Sequence, residues 1–207
     1  MDVFHSGFVT FLGRPNAGKS SLLNAIMGKK LAIASSTAQT TRHRFRAIYT
    51  TDSYQMILVD TPGVHKPHDA LGEELNTTAL KSLEGIDVVA FLLDASQPLG
   101  KGDEWVLNQI KTLRIPKILV INKIDLVDAD TIAEQRTRAQ EYIDWDGEVA
   151  LSAKEHDGID EFLSLVAQFL PEGPLWFPAD AETDQPIEVL IAEFIREKVL
   201  YNAYDEV

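Results

Sequence analysis

The first residues that could do chemistry form a glycine-containing loop that ends in a lysine and a serine. Its sequence, GRPNAGKS, has the spacing G-x-x-x-x-G-K-[ST] and stands between a predicted strand and a predicted helix. Glycines let backbone N–H groups turn inward toward an anion, and the helix adds the positive end of its dipole. The pattern predicts a phosphate site in which Lys19 contacts the β- and γ-phosphates and Ser20 binds Mg²⁺. The residues assigned to this loop and the start of its helix are Gly13, Arg14, Pro15, Asn16, Ala17, Gly18, Lys19, Ser20 and Ser21.

A second motif, DTPG, ends the apolar run MILVD. An aspartate at the tip of a buried strand beside a phosphate loop is placed to hold Mg²⁺ through water, and a glycine N–H can reach the γ-phosphate. DTPG alone is also typical of an ordinary turn, but its position downstream of the phosphate loop favours the functional interpretation. The predicted site residues are Asp60, Thr61, Pro62 and Gly63.

Two further motifs indicate which base is bound. The carboxylate of Asp125, in the sequence NKID, can accept from both N1–H and the exocyclic amine of guanine, whereas adenine has no such pair of donors. Asn122 and the stem of Lys123 would fix and cover the loop around the base, and the Ala153 N–H, in SAK, can meet the guanine carbonyl. SAK alone is a weak signal, but the order of the four motifs predicts GTP and GDP as ligands. These residues are Asn122, Lys123, Asp125, Ser152, Ala153 and Lys154.

The segment between the first helix and the next strand carries Thr40 and Thr41. A threonine here can complete the Mg²⁺ coordination and sense the γ-phosphate through its backbone N–H, as in an order–disorder switch. The nearby Arg42, Arg44 and Arg46 form a small basic cluster, which is either a solvated strand face or a local patch for a partner.

These loops need a scaffold that brings them to one place. Near-continuous apolar runs predict strands buried on both faces, and two runs separated by Asp52 and Ser53 predict an antiparallel hairpin at one edge. The fold class is therefore α/β, a six-stranded and mostly parallel sheet with one antiparallel edge strand and helices on both faces. The predicted strands are 7–12, 44–51, 54–60, 87–94, 117–122 and 148–151.

Helices are predicted in the intervals between strands, and all four motifs then follow the carboxyl ends of strands, where such sheets bind ligands. The clearest helix has apolar residues at i, i+3, i+4 and i+7 from Ile159 to Leu170. The predicted helices are 19–27 and, roughly, 73–84, 101–113, 130–143 and 157–170.

The composition narrows the class of protein. The 207 residues include no cysteine, which excludes disulfides and thiolate zinc sites and fits a reducing cytosol. A formal net charge of −13 argues against a broad RNA-binding face. We see no targeting signal and no apolar run of the ~20 residues that would cross a bilayer.

Domain boundaries follow a change in composition. We predict a nucleotide-binding domain at 1–171 and a linker at 172–186, which is rich in proline, glutamate, aspartate and alanine. An amphipathic helix then begins a second domain at 187–207. Because that helix has no partner elements, we expect it to be the start of a truncated domain.

The motifs GRPNAGKSSLLNAI, QTTRHR, DTPGVHKP, NKID and SAK together resemble the Era family of bacterial ribosome-assembly GTPases, whose catalytic domain has a Ras-like P-loop fold. The likeness covers residues 5–170, and IAEFIREK resembles the opening of the family's RNA-binding KH domain. The related MnmE and EngA GTPases share the P-loop and DTPG but not this QTTRHR with the IREK tail.

The resemblance implies that Thr41 is the magnesium ligand, with Thr40 beside it. It implies GTP hydrolysis coupled to binding of small-subunit (16S) ribosomal RNA and the 30S particle, in the cytoplasm and as a monomer. It leaves peripheral association with the inner face of the cell membrane open. Because the G-x-x-G loop of a KH domain is absent, we expect residues 1–207 alone to bind RNA weakly or not at all.

One position departs from the general GTPase pattern. Val64 stands where Ras-like enzymes have a glutamine that orients water, so we expect slow intrinsic hydrolysis. Some relatives with such a replacement use K⁺ held partly by a P-loop asparagine, and Asn16 matches that position, although it could also simply brace the loop. His65 and His68 flank the site without a metal-like set of partners. The alternatives are a nucleotide-dependent interaction module with negligible turnover and a small-molecule kinase or ATPase, which NKID disfavours.

Overall fold

The computed structural model describes residues 3–32, 45–60 and 83–202, without the side chains of Asp60 and of several residues in the last helix. In this part of the chain, six strands form one sheet in the order β2-β3-β1-β4-β5-β6. Every neighbouring pair is parallel except β2 with β3, which confirms the predicted antiparallel edge. The strands are β1 (His5–Leu12), β2 (Phe45–Thr50), β3 (Tyr54–Asp60), β4 (Val88–Asp94), β5 (Lys117–Asn122) and β6 (Gly147–Leu151).

Helices cover both faces of the sheet. Leu22 and Leu23 of the first helix pack with Phe162 and Val166 on one face, whereas Val106 and Leu107 belong to the core of the other face. All seven residues of β4 are buried between these layers, which explains its unbroken apolar sequence. The helices described are α1 (Lys19–Met27), α2 (Lys101–Ile110), α3 (Ala129–Gln140), α4 (Ile159–Ala167) and α5 (Ile187–Asn202).

Helix boundaries differ from the sequence prediction by a few residues, for local reasons. The helix α4 begins after Gly158, whose φ of 76° lies in the left-handed region and cannot continue a helix. The helix α3 begins after Asp128, whose side chain accepts a hydrogen bond from the Thr131 N–H. The predicted helix at 73–84 lies almost wholly outside the described residues.

Residues 171–184, which include most of the predicted linker, lie against the sheet, and we call this segment the strap. The strap passes the start of β1, where the Ser6 N–H donates to the Pro171 carbonyl across 3.0 Å. It then crosses β3 at Gln55, which is fully buried and bonds both the N–H and the carbonyl of Phe177. It ends beside β2, where Thr183 pairs with Ala47 in an antiparallel bridge.

Two ion pairs add to the strap's hold on the domain. Arg46 of β2 contacts Asp184 at 2.9 Å, and Lys29 contacts Glu182. Because the bridge to β2 is antiparallel, the strap runs toward the Phe45 end of that strand, and α5 begins three residues after Asp184. The strap therefore connects the amino ends of β1 and β3 to the outer edge of β2. Across the described residues, we find no helix with the length and apolar character needed to span a membrane.

Candidate functional site

The loop predicted to bind phosphate lies at the carboxyl end of β1 and leads directly into α1. Gly13 has φ 148° and Gly18 has φ 101°, both in the region that favours glycine. A Cβ atom at Gly13 would lie 2.4 Å from the carbonyl oxygen of Leu92, and one at Gly18 would lie 2.1 Å from Nδ2 of Asn122. Both positions therefore need glycine, which lets the loop backbone pack between the ends of β4 and β5.

Lys19 and Ser20 open α1 at the mouth of this loop. The Lys19 ammonium donates to the carbonyl oxygens of Gly13, at 3.0 Å, and of Arg14, at 2.8 Å. The residue that precedes the helix, Gly18, has no side chain to cap it, so N–H groups of the first turn can face an anion. An ammonium, a row of N–H groups and the Ser20 hydroxyl form a donor and ligand set that fits a polyphosphate with Mg²⁺.

Asn122 joins the phosphate loop to the predicted base loops. Its Nδ2 donates to the Ala17 carbonyl across 2.8 Å, and its Oδ1 accepts from the Ala153 N–H across 3.1 Å. Asn122 is 2% exposed, so both bonds are shielded from water. The Ala153 N–H, predicted to meet guanine, is thus bonded to Asn122 here, and a bond to the base would share or replace that contact.

Asp125 is exposed and is anchored from below by Ser152. The Ser152 hydroxyl donates to Asp125 Oδ1 across 2.6 Å and accepts from the Glu155 N–H across 3.1 Å. Ser152 itself is 1% exposed. A carboxylate held on one side and open to solvent on the other can accept a pair of donors from a base.

Lys123 is positioned by an aspartate that ends β4. Its ammonium lies 2.5 Å from Asp94 Oδ2, and Asp94 Oδ1 accepts from both the N–H and the hydroxyl of Ser96. Burial opposes ionisation of Asp94, but the bonds from Lys123 and Ser96 outweigh it and hold the pKa of Asp94 below its ordinary value. Lys123 has φ 68°, so its backbone turns sharply between β5 and the 3₁₀ turn that carries Asp125.

Two predicted site residues direct their side chains to carboxylates at the margin of the site. The Arg14 guanidinium bonds to Asp103 at 2.9 Å. The Lys154 ammonium bonds to Glu155 at 2.9 Å in solvent, which raises the pKa of Lys154 above its ordinary value. Both residues therefore contribute backbone to the loops while their side chains pair with protein groups.

A cavity of about 340 Å³ opens beside the loops, between α1 and the segment that follows β6. It adjoins Ala153, whose N–H is predicted to meet the guanine carbonyl. Its lining residues come from α1, the turn after it and the SAK loop: Ser21, Asn24, Ala25, Gly28, Lys29, Lys30, Ala153 and His156.

The remaining predicted residues belong to the magnesium and switch segments. The structure places Asp60 at the last position of β3, paired with Phe45. The exposed Asn16 has φ 65° in the phosphate loop. The others lie outside the described residues: Thr40, Thr41, Thr61, Pro62 and Gly63, together with Val64, His65 and His68.

Sequence reasoning missed Asp94 and Asp103, which hold Lys123 and Arg14. Asp94 had a usable signal, because it ends the buried apolar run VVAFLL in the way that Asp60 ends its own strand. Asp103 had none, since it stands at the third position of an amphipathic helix where acidic residues are common for the helix dipole.

Comparisons with known proteins agree with this geometry. The family model described as 50S ribosome-binding GTPase matches residues 8–123. GTPase Era from Alkaliphilus metalliredigens is 42% identical over 204 residues, which cover 99% of this chain and 69% of that protein.

Solved Era structures resemble the chain over nearly all of its length. One, Era in complex with MgGDPNP and a segment of 16S ribosomal RNA, has a TM-score of 0.88 and 37% identity and covers 95% of this chain and 67% of its own. A variant of Era from Aquifex aeolicus bound to GDP·AlF4⁻ has a TM-score of 0.90 and 36% identity, with coverages of 99% and 70%.

Proposed function

This chain belongs to the Era family of GTPases, and we propose that it hydrolyses GTP to GDP and phosphate as a molecular switch in small ribosomal subunit assembly. The observation that carries the nucleotide assignment is the buried Asn122, which ties the phosphate loop to the base loops. Asp125 beside it has the carboxylate that guanine requires, held in place by Ser152. Binding of solved Era structures to MgGDPNP and GDP·AlF4⁻ supports the same assignment.

Base selectivity tests this proposal. We expect the chain to bind GTP and GDP, with no competition from ATP at equal concentration. The variant Asp125→Asn should lose GTP and gain xanthosine triphosphate, whose C2 carbonyl accepts from an amide N–H. Competition by ATP for bound GTP would instead favour a small-molecule kinase or ATPase.

We propose that intrinsic hydrolysis is slow, because Val64 stands where a water-orienting glutamine is typical and cannot bond water. Mg²⁺ would neutralise charge on the phosphates, and the residues that would hold it are Ser20, Thr41 and, through water, Asp60. Phosphate release in a single turnover, with and without 16S ribosomal RNA, measures the rate. Release indistinguishable from a sample without protein in both conditions would favour an interaction module with negligible turnover.

We further propose that K⁺ stimulates hydrolysis and that Asn16 is one of its ligands. Asn16 lies in the phosphate loop with φ 65°, and a K⁺ ion beside the phosphates would help to neutralise the charge that develops there during hydrolysis. Turnover should be faster in K⁺ than in Na⁺ buffer, and Asn16→Ala should remove the difference. The same substitution at Asn108, an exposed residue of α2, provides a matched control. Equal turnover of the wild type in both salts would refute the K⁺ proposal.

The partner we propose is small-subunit ribosomal RNA in the 30S particle, in agreement with the Era structure that contains a 16S segment. We assign 1–171 to the GTPase domain, 172–186 to a linker and 187–207 to the start of a KH domain. With a net charge of −13, residues 1–207 should bind RNA weakly in a mobility-shift assay, and tight binding would contradict this. We also propose a cytoplasmic monomer, for which light scattering and cell fractionation, including flotation with inner membranes, are the tests.

A further inference from the structure

The second residue of the phosphate loop is held by a buried carboxylate that lies outside the loop. Nε of Arg14 donates to Oδ2 of Asp103 across 2.9 Å, and the Asp103 side chain is fully buried. The same Oδ2 accepts from the Gly100 N–H across 3.0 Å. Within the part of the chain that the structure describes, Oδ1 of Asp103 is buried and has no hydrogen-bond partner. A carboxylate in this environment needs a nearby cation to stay ionised.

The electrostatics of Asp103 reflect that balance. Burial raises the pKa of its carboxyl above the ordinary value, while the Gly100 hydrogen bond and the positive charge of Arg14 oppose the rise. Among the described residues, Arg14 is the cation that lies within bonding distance of Asp103. Removing either partner would therefore leave the other with an uncompensated charge.

The start of α2 is shaped to receive the Arg14 side chain. A Cβ atom added at Gly102 would lie 3.2 Å from Cδ and 3.3 Å from Cγ of Arg14, and one at Gly100 would lie 3.6 Å from its NH1 nitrogen. The arginine stem thus lies directly against the backbone of the two glycines that flank Lys101. This close fit fixes the direction of the guanidinium toward Asp103.

The contact continues from Arg14 to the lysine that is expected to meet the phosphates. The carbonyl oxygen of Arg14 accepts a hydrogen bond from the Lys19 ammonium across 2.8 Å, beside a second bond to the Gly13 carbonyl. A shift of the Arg14 backbone would therefore move an acceptor of Lys19. Polar contacts thus connect the buried Asp103, at the start of α2, through Arg14 to Lys19 at the phosphate site.

We propose that Asp103 is a positioning residue of the phosphate site, which acts through Arg14 to hold the Lys19 ammonium in place. This inference rests on the proposed binding of GTP. Because Lys19 is expected to contact the β- and γ-phosphates, the influence of Asp103 should depend on how many phosphates the ligand carries. A residue that only supported the fold would affect every guanine ligand alike.

The test compares GTP, GDP and GMP in the full 207-residue chain. Asp103→Asn should weaken GTP and GDP by about tenfold and leave GMP affinity unchanged. Arg14→Gln, at a partly exposed position, should do the same if Asp103→Asn does not fold. The double variant should lose no more affinity for GTP than either single variant, because each of the three variants breaks the same set of contacts from Asp103 to Lys19.

A matched control is Glu148→Gln in β6, away from the phosphate loop. This substitution removes the carboxylate charge from a partly buried ion pair with Arg136 of α3. Melting temperatures measured in parallel identify any loss of folded protein. A wild type that fails to bind GTP would refute the proposed function. If the wild type binds GTP, three results would overturn this inference alone. The variants could bind GTP as tightly as the wild type, lose as much affinity for GMP as for GTP, or show losses that add in the double variant.

Discussion

Replacing Ser152 by alanine isolates the bond that holds the base-binding carboxylate. Ser152 is buried, and its hydroxyl donates to Asp125 Oδ1 across 2.6 Å. Alanine removes this donor and keeps the small size of the side chain. The Asp125 carboxylate would then have to be oriented by the incoming base alone.

The magnitude follows from the exposure of the two groups. A net intramolecular hydrogen bond contributes about 1 kcal/mol, and one to a charged group contributes more. Since Asp125 is exposed, water screens the additional charge term, and we retain about 1 kcal/mol. This energy corresponds to roughly fivefold weaker binding. The lost contact with the Glu155 N–H adds mobility to the same loop and raises the expected loss toward tenfold.

The assay is a fluorescence titration of wild type and variant with GDP and with GTP. Both ligands should lose the same factor, because the change acts at the base and not at the phosphates. Selectivity for GTP over ATP should fall in the same experiment. Ser164→Ala, an exposed serine of α4, is the matched control and should bind as the wild type does. An unchanged affinity, or a larger loss for GTP than for GDP, would refute the reasoning.

Three other substitutions test separate parts of the structure. Since the pKa of Asp94 is depressed in the folded state, ionised Asp94 stabilises the protein above the ordinary aspartate pKa of about 4, and this contribution is lost as the pH falls through the folded value. Asp94→Asn should therefore be less stable than wild type at neutral pH, with the difference closing in acid, as urea unfolding at both pH values would show. Gln55→Ala leaves partners in the strap unsatisfied and should cost about 2 kcal/mol, or about 6 °C in calorimetry. Gly18→Ala would place a Cβ atom 2.1 Å from Asn122 Nδ2 and should reduce GDP affinity by about a hundredfold or more in an equilibrium titration.

Most of the fold could be predicted from local sequence patterns. The apolar stripe of α4 was readable because Ile159, Phe162, Leu163 and Val166 all face one core. The antiparallel edge followed from the short connection between β2 and β3, and the mostly parallel sheet from buried runs such as that of β4; the order of the strands was given by the structure alone. The loops of the base site were readable for a similar reason, since a few residue types at fixed spacing are needed to bind a guanine nucleotide.

Contacts between distant parts of the chain could not be predicted from the sequence. The pair of Arg14 with Asp103 and that of Lys123 with Asp94 depend on how α2 and β4 pack, and no local pattern encodes that distance. Gln55 is the clearest example: it is a polar residue near the start of β3 and precedes an apolar run, yet it is fully buried. Its side chain satisfies backbone groups of a segment more than a hundred residues away.

The strap has a consequence for how copies of this protein meet one another. An edge strand such as β2 presents unpaired N–H and carbonyl groups that can pair with another molecule and seed aggregation. Glu182 and Thr183 occupy that position, with the Ile48 N–H donating to the Glu182 carbonyl across 2.9 Å. A chain cut after Leu170 would retain the nucleotide loops but lose this cover. We expect such a chain to self-associate through β2 at concentrations where residues 1–207 stay monomeric.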